Sequence, residues 1–182
     1  MTQDIEIESG YSAGATGLIV AVPEAERIVA RWRSRLDSSA AAGIPAHITV
    51  LFPFLDRHLI DDEVMADLTA IVAAHRSFEV ELRECRRFPS VLYLAPAPDS
   101  GLRALTEAVF RRWPEAPPYG GQFADIVPHL TVADCEEPQV LDRVEASVSP
   151  LLPITVRVNS VQLLVYTGDH WQQAHSFPLE AG

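Results

Sequence analysis

The 182-residue sequence contains no lysine, and all 14 of its basic residues are arginine. That absence removes every mechanism built on a lysine side chain: Schiff-base chemistry, a lysyl-nucleotide intermediate and a P-loop lysine are all excluded. Cysteine is scarce. Cys85 and Cys135 have no CxxC spacing and read as small apolar residues of a reducing compartment, not as a disulfide framework or an activated thiol. No uninterrupted apolar stretch approaches the roughly 18 residues needed to span a bilayer. The acidic start, MTQDIEIESG, lacks the basic region and apolar run of a secretory leader. A soluble, cytoplasmic protein is expected. Positive charge is in deficit overall, with a net charge of −11 and a pI near 4.9. This counts against sequence-independent binding to long nucleic acid, which depends on neutralising many phosphates. A cleft carrying a few arginines on an acidic protein can still hold a small nucleotide or an RNA end.

At 48% hydrophobic and 21% charged, the chain can build a substantial core, and residues 1–182 are expected to form one domain. ATGLIVAV (15–22) reads as a buried strand. Pro23 opens a helix whose apolar face runs through Ala25, Ile28, Val29, Trp32 and Leu36. Further helices are predicted where Val64, Leu68, Ile71 and Val72 share one face, where Leu102, Leu105, Val109 and Trp113 do, and through Val140, Val144 and Val148. FEVELREC, VLYLA, LPITVRV, VQLLVYT and WQQAHSF read as strands, and PEAPPYGG as a loop.

Two segments repeat one frame. Residues 46–54 read AHITVLFPF and residues 128–135 read PHLTVADC, so His47-Ile48-Thr49-Val50 and His129-Leu130-Thr131-Val132 match position by position. They lie 82 positions apart, close to half the chain, each preceded by a proline within two residues and each opening a predicted strand. The order of strands and helices around them is similar. This predicts an internal duplication: an α+β fold of two intertwined, pseudo-symmetric lobes of mostly antiparallel sheet, helices outside, with a central cleft carrying the two HxT strands.

Side chains alternate across a strand. His47 and Thr49 therefore share one face while Ile48 and Val50 point to a core, and His129 and Thr131 oppose Leu130 and Val132 in the same way. Two facing strands offer two imidazoles and two hydroxyls. One imidazole can take a proton from a nucleophile while the other gives one to a leaving alkoxide. Threonine hydroxyls can donate to the oxygens on which negative charge is held. HxT supplies neither the donor set of a zinc site nor the carboxylates of a magnesium site, so no metal and no cofactor is expected. Tyr119, in the loop before the second motif, is a candidate for stacking on an unpaired base. Arg86 and Arg87 are candidates for a second phosphate. Phe52, Tyr166 and Trp171 are expected in the core or at its rim. His58, His75, His170 and His175 are expected at the surface or in packing.

In HITV, HLTV, their spacing and the strand–helix order of almost the whole chain, the sequence resembles the two-histidine (2H) phosphoesterases, which include bacterial RNA 2′,5′-ligase-like proteins and cyclic nucleotide phosphodiesterases. The resemblance implies that His47 and His129 are the catalytic pair and that Thr49 and Thr131 are phosphate-binding hydroxyls. It also implies metal-independent opening of 2′,3′-cyclic phosphates on RNA ends or small nucleotides, with 2′,5′ ligation as the reverse reaction. The alternative from another class is a catalytically idle module that uses the same cleft to bind nucleotides or RNA ends.

Overall fold

Neither sheet is made from one half of the chain. The computed structural model describes residues 10–182, so MTQDIEIES, the acidic start considered above, lies outside the described residues. The first antiparallel sheet runs, edge to edge, through β2 (His47–Leu51), β1 (Thr16–Ala21), β7 (Ser160–Tyr166) and β8 (Trp171–Pro178). The second runs through β5 (Leu130–Asp134), β4 (Val91–Ala97), β3 (Phe78–Arg87) and β6 (Ile154–Val158). The chain thus leaves the first sheet after β2, completes the second, and returns to the first with β7 and β8. Each HxT strand lies at an edge of its own sheet, in the corresponding position.

Among the described residues, five α-helices accompany the sheets: α1 (Pro23–Leu36), α2 (Ser38–Ala41), α3 (Asp62–Ala73), α4 (Ser100–Arg112) and α5 (Pro138–Val148). Their ends follow local chemistry. Pro23 occupies the first turn of α1, with Glu24 and Glu26 at its positive end and Arg33 and Arg35 at its negative end. The Asp61 carboxylate caps α3 by accepting from the N–H groups of Glu63 and Val64, each at 3.0 Å.

α1 packs against β5 and α4 against β2, so each HxT strand is backed by the helix that precedes the other one. Ile48 and Val50 are buried on that side of β2, as are Leu130 and Val132 on β5, while the histidines and threonines between them stay partly exposed. Thr106 of α4 ties the layers together by donating to the Val50 carbonyl at 2.7 Å.

The helix faces differ from the periodicity in two places. On α1 the fully buried residues are Ala25, Val29 and Arg33, with Ile28, Trp32 and Leu36 packed at the margin. The face is rotated inward around a charged side chain because Asp37, the Ser39 hydroxyl and the Ile44 carbonyl oxygen satisfy Arg33 there. On α5, Leu141 joins Val144 and Val148 in the core and Val140 lies at its margin. Among the described residues, no helix is long and apolar enough to cross a membrane.

Candidate active site

β2 and β5 face each other across the junction of the two sheets without sharing backbone hydrogen bonds. The exposed face of each carries its histidine and threonine. The two imidazoles are held in the same way. His47 Nδ1 lies 2.8 Å from the Pro45 carbonyl oxygen and His129 Nδ1 lies 2.7 Å from that of Val127, in each case two residues back. A carbonyl only accepts, so Nδ1 carries the proton on both rings, and Nε2 is left as the nitrogen that can exchange one with a ligand. Burial pushes the His47 pKa from 6.5 down to about 4, opposed by the Pro45 carbonyl and reinforced by the charges of Arg33 and His129. Burial lowers the His129 pKa as well, against the pull of the Val127 carbonyl. Neutral imidazoles are the resting state of the site at pH 7.

The threonines differ in their partners. Thr49 is hydrogen-bonded to the phenol of Tyr119, whose pKa burial raises and that bond lowers. Thr131 has no protein hydrogen-bond partner among the described residues and stands opposite Tyr93 of β4.

Tyr119 is built into the junction. Its backbone is left-handed, with φ of +52°, followed by Gly120 and Gly121 in the same region. This places its N–H 2.6 Å from the Phe52 carbonyl oxygen of the first sheet's flank. Its ring lies nearly parallel to that of His129, with centroids 6.3 Å apart.

Each histidine has aromatic surroundings. Phe88 and Tyr93 meet His129 edge-on at 5.2 and 5.5 Å. On the other side, a pocket of about 100 Å³ adjoins His47 and Thr49 and is walled by Tyr11, Phe52 and Trp171. Those three rings pack edge to face with centroids 5.1 to 5.9 Å apart. Phe52 and Trp171 thus belong to both the core's margin and this pocket, whereas Tyr166 sits behind them, buried.

The two candidate arginines part company. Register pairs Thr131 with Tyr93 and Tyr93 with Arg86, so Arg86 is on the face of the second sheet that carries the HxT side chains, where its Nε donates to Glu84 at 2.6 Å. Arg87 falls on the opposite, helix-covered face, where Asp142 and Glu145 of α5 bind its guanidinium. The structure therefore brings His47, Thr49, His129, Thr131 and Tyr119 together, keeps Arg86 on the same face further along, and turns Arg87 away. Phe88, Tyr93 and Tyr11 were not apparent from the sequence, since an aromatic residue in a strand or loop carries no mark of what it faces.

The twin HxT strands and their frame are matched by the family model of the 2′-5′ RNA ligase superfamily, over residues 21–170. The chain belongs to this superfamily. Its folds agree with that assignment. The structure aligns with Escherichia coli LigT complexed with 3′-AMP at a TM-score of 0.59 and 16% identity, over 92% of this chain and 99% of that one. It aligns with E. coli LigT complexed with NADP+ at a TM-score of 0.56, again at 16% identity, over 93% and 99%. A Thermus thermophilus protein, TT0787, aligns at 0.55 and 17% identity over 92% and 98%. At such identities the structural matches speak to the fold. No curated protein matches the chain in sequence. As a 2′-5′ RNA ligase superfamily member, the protein is a 2H phosphoesterase, of the class that cleaves or joins phosphoesters.

Proposed function

We propose that the protein opens 2′,3′-cyclic phosphates on a small nucleotide or an RNA end, without a metal, through His47 and His129. The observation that carries this reading is the twin arrangement: two rings on facing edge strands, each with Nδ1–H given to a backbone carbonyl and Nε2 left for the ligand. His47, with the pKa near 4, is the base. Its Nε2 takes a proton from water as the oxygen attacks phosphorus. The P–O3′ bond breaks, and His129, which takes up a second proton on Nε2 from solvent when the phosphate anion binds, gives that proton to the departing O3′, leaving a 2′-phosphate. Thr49 and Thr131 donate to the two non-bridging oxygens. With a ribose 5′-hydroxyl in place of water, the same steps in the same direction join two ends through a 2′,5′ linkage, and their reversal cleaves that linkage back to the cyclic phosphate. The pocket of Tyr11, Phe52 and Trp171 beside His47 takes the nucleobase, and Tyr119 closes the opposite side. The small nucleotides named with E. coli LigT support a nucleotide ligand for a cleft of this shape.

The test is a panel of 2′,3′-cyclic mononucleotides, cyclic-ended RNAs and 2′,5′-linked oligomers, with product regiochemistry read out in EDTA. Activity should persist in the chelator, and His47→Ala and His129→Ala should each lower kcat/KM by at least roughly 10²-fold. Inactivation by EDTA with recovery on zinc, or full activity in either variant, overturns the mechanism.

A further inference from the structure

Behind the two histidines lies a second matched pair of groups. Arg33 of α1 donates from Nη2 to the Ile44 carbonyl oxygen at 3.2 Å. Arg103 of α4 donates from Nη1 to the Ile126 carbonyl oxygen. Ile44 and Ile126 each stand three residues before a histidine, and the very next carbonyls, those of Pro45 and Val127, are the ones that accept from His Nδ1. Each arginine is locked in turn through Nε by an aspartate four residues away on its own helix or at its end: Arg33 to Asp37 at 2.9 Å and Arg103 to Asp99 at 2.7 Å.

The aspartate follows the arginine in one case and precedes it in the other, and the arginine lies 14 residues before His47 but 26 before His129. The same contacts are thus reached by different local sequences, which argues for a requirement of the site over a relic of duplication.

The next peptide group is secured by different means on the two sides. Glu26 accepts from the Ala46 N–H at 2.5 Å. At the corresponding place the second motif has Pro128, which has no N–H to satisfy and restricts the backbone of Val127 before it. In both loops the carbonyl that holds the imidazole is therefore flanked by fixed points.

We infer that Arg33 and Arg103 are matched positioning residues: each pins the peptide before the histidine-binding carbonyl and so holds its imidazole in the Nδ1–H tautomer, with Nε2 available. A charge-assisted bond to a carbonyl, made by an arginine already locked by a carboxylate, fixes geometry more firmly than a neutral one. The link to catalysis rests on the function proposed above; the link to the tautomer does not.

Arg103, partly exposed with its side chain at 38%, is the residue to change. In the full chain Arg103→Met should fold, lower kcat by roughly 10- to 100-fold with KM within about twofold, the scale of a slight misplacement of a catalytic group, and leave threonine-mediated binding intact. Nitrogen-15 NMR of the side chains at pH 7.5 should show His129 passing from the Nδ1–H form to a mixture with Nε2–H, while His47 keeps its tautomer. Arg103→Lys, whose ammonium can still donate to Ile126, should restore part of both readouts. A folded Arg103→Met, or Arg103→Leu if the methionine variant does not fold, in which His129 stays wholly Nδ1–H overturns the inference. If the wild type opens no cyclic phosphate, the proposed function fails while the tautomer measurement still decides the role of Arg103.

Discussion

Replacing each motif threonine by valine gives two variants that the strand pattern alone treats as equivalent and the structure does not. Both keep the β-branched shape and delete one hydroxyl. The Thr131 hydroxyl has no protein partner among the described residues, so Thr131→Val should change stability by no more than about 0.5 kcal/mol. Thr49 is bonded to the phenol of Tyr119, a group whose pKa burial raises. Thr49→Val leaves that phenol without its partner, at a cost of about 1–2 kcal/mol, and for a chain of this length Tm should fall by about 3–6 °C. Adding Tyr119→Phe removes the stranded hydroxyl and should recover most of the loss, since deleting both partners of a buried bond is nearly neutral. Activity should not follow stability. A neutral phenol can donate to the Thr49 hydroxyl as readily as accept from it, which frees the threonine proton for a ligand; in the proposed reaction both threonines serve the phosphate, and each single variant should lose about 10²- to 10³-fold in kcat. The double variant should be stable and slow. Urea unfolding and steady-state hydrolysis of a 2′,3′-cyclic nucleotide measure the two quantities separately. Equal stability losses for the two single variants refute the argument from Tyr119; full activity in both refutes the assignment of the hydroxyls to the phosphate.

Three further outcomes are expected. Since kcat/KM reports the free protein, and His47 titrates near pH 4 with His129 also below 6.5, its pH profile should peak between about 4 and 6.5; a maximum above pH 7.5 contradicts the acid–base roles. The His47 pKa is depressed on folding, so the unfolded chain takes up its proton first as pH falls, and the protein loses that part of its stability between 6.5 and about 4. His47→Gln should flatten this part of the curve, seen as a smaller drop in urea midpoint from pH 7.5 to 4.5 than in the wild type. With an RNA end held through one phosphate, log kcat/KM should fall against log salt with a slope no steeper than about −1, and a slope beyond about −3 signals an extended backbone track.

Strand periodicity was enough to place His47 and Thr49 opposite Ile48 and Val50, because a one-residue slip would have exposed two core residues in each motif. The same one-sided burial made the four longer helices and strands such as β6 legible, whereas β1, buried on both faces, was legible as a short continuous apolar run. What it could not convey was which sheet a strand joins. β3 and β7 follow similar patterns, and only long-range pairing puts one beside β4 and the other beside β1. Arg33 was missed because a charged side chain on a helix reads as solvent-facing, and only its partners Asp37, Ser39 and Ile44 make its burial tolerable. A faint signal was present: IPAH and IVPH share an isoleucine three residues before histidine, at the position whose carbonyl an arginine holds. Tyr119 was found as a residue, but its left-handed backbone and its bond to Thr49 depend on a close approach between lobes that no local pattern encodes.

The arginines also bear on what kind of substrate the cleft admits. With no lysine, every cationic side-chain contact to a nucleic acid backbone other than from a protonated histidine must come from these fourteen side chains. Several on the surface are already matched: Arg83 with Glu81, Arg86 with Glu84, Arg87 with Asp142 and Glu145, and Arg112 with Glu63 and Asp67. A phosphate approaching such a pair meets a neutralised guanidinium next to a carboxylate, and the net charge of −11 opposes it before contact. Arg33, buried and bound to Asp37, is not available either. Recognition through a long anionic track is therefore poorly served. What the site offers is local: two hydroxyls and two Nε2 atoms for one phosphate, and aromatic walls on both flanks for a ring. A neutral-resting imidazole pair makes the same point in energetic terms. In the proposed reaction the bound anion supplies the negative charge that restores the basicity that burial removed from His129, so that histidine is charged as the acid when a phosphate is present. In the proposed function, selection for a single terminal phosphate with an adjoining base rests on that coupling and needs no basic surface.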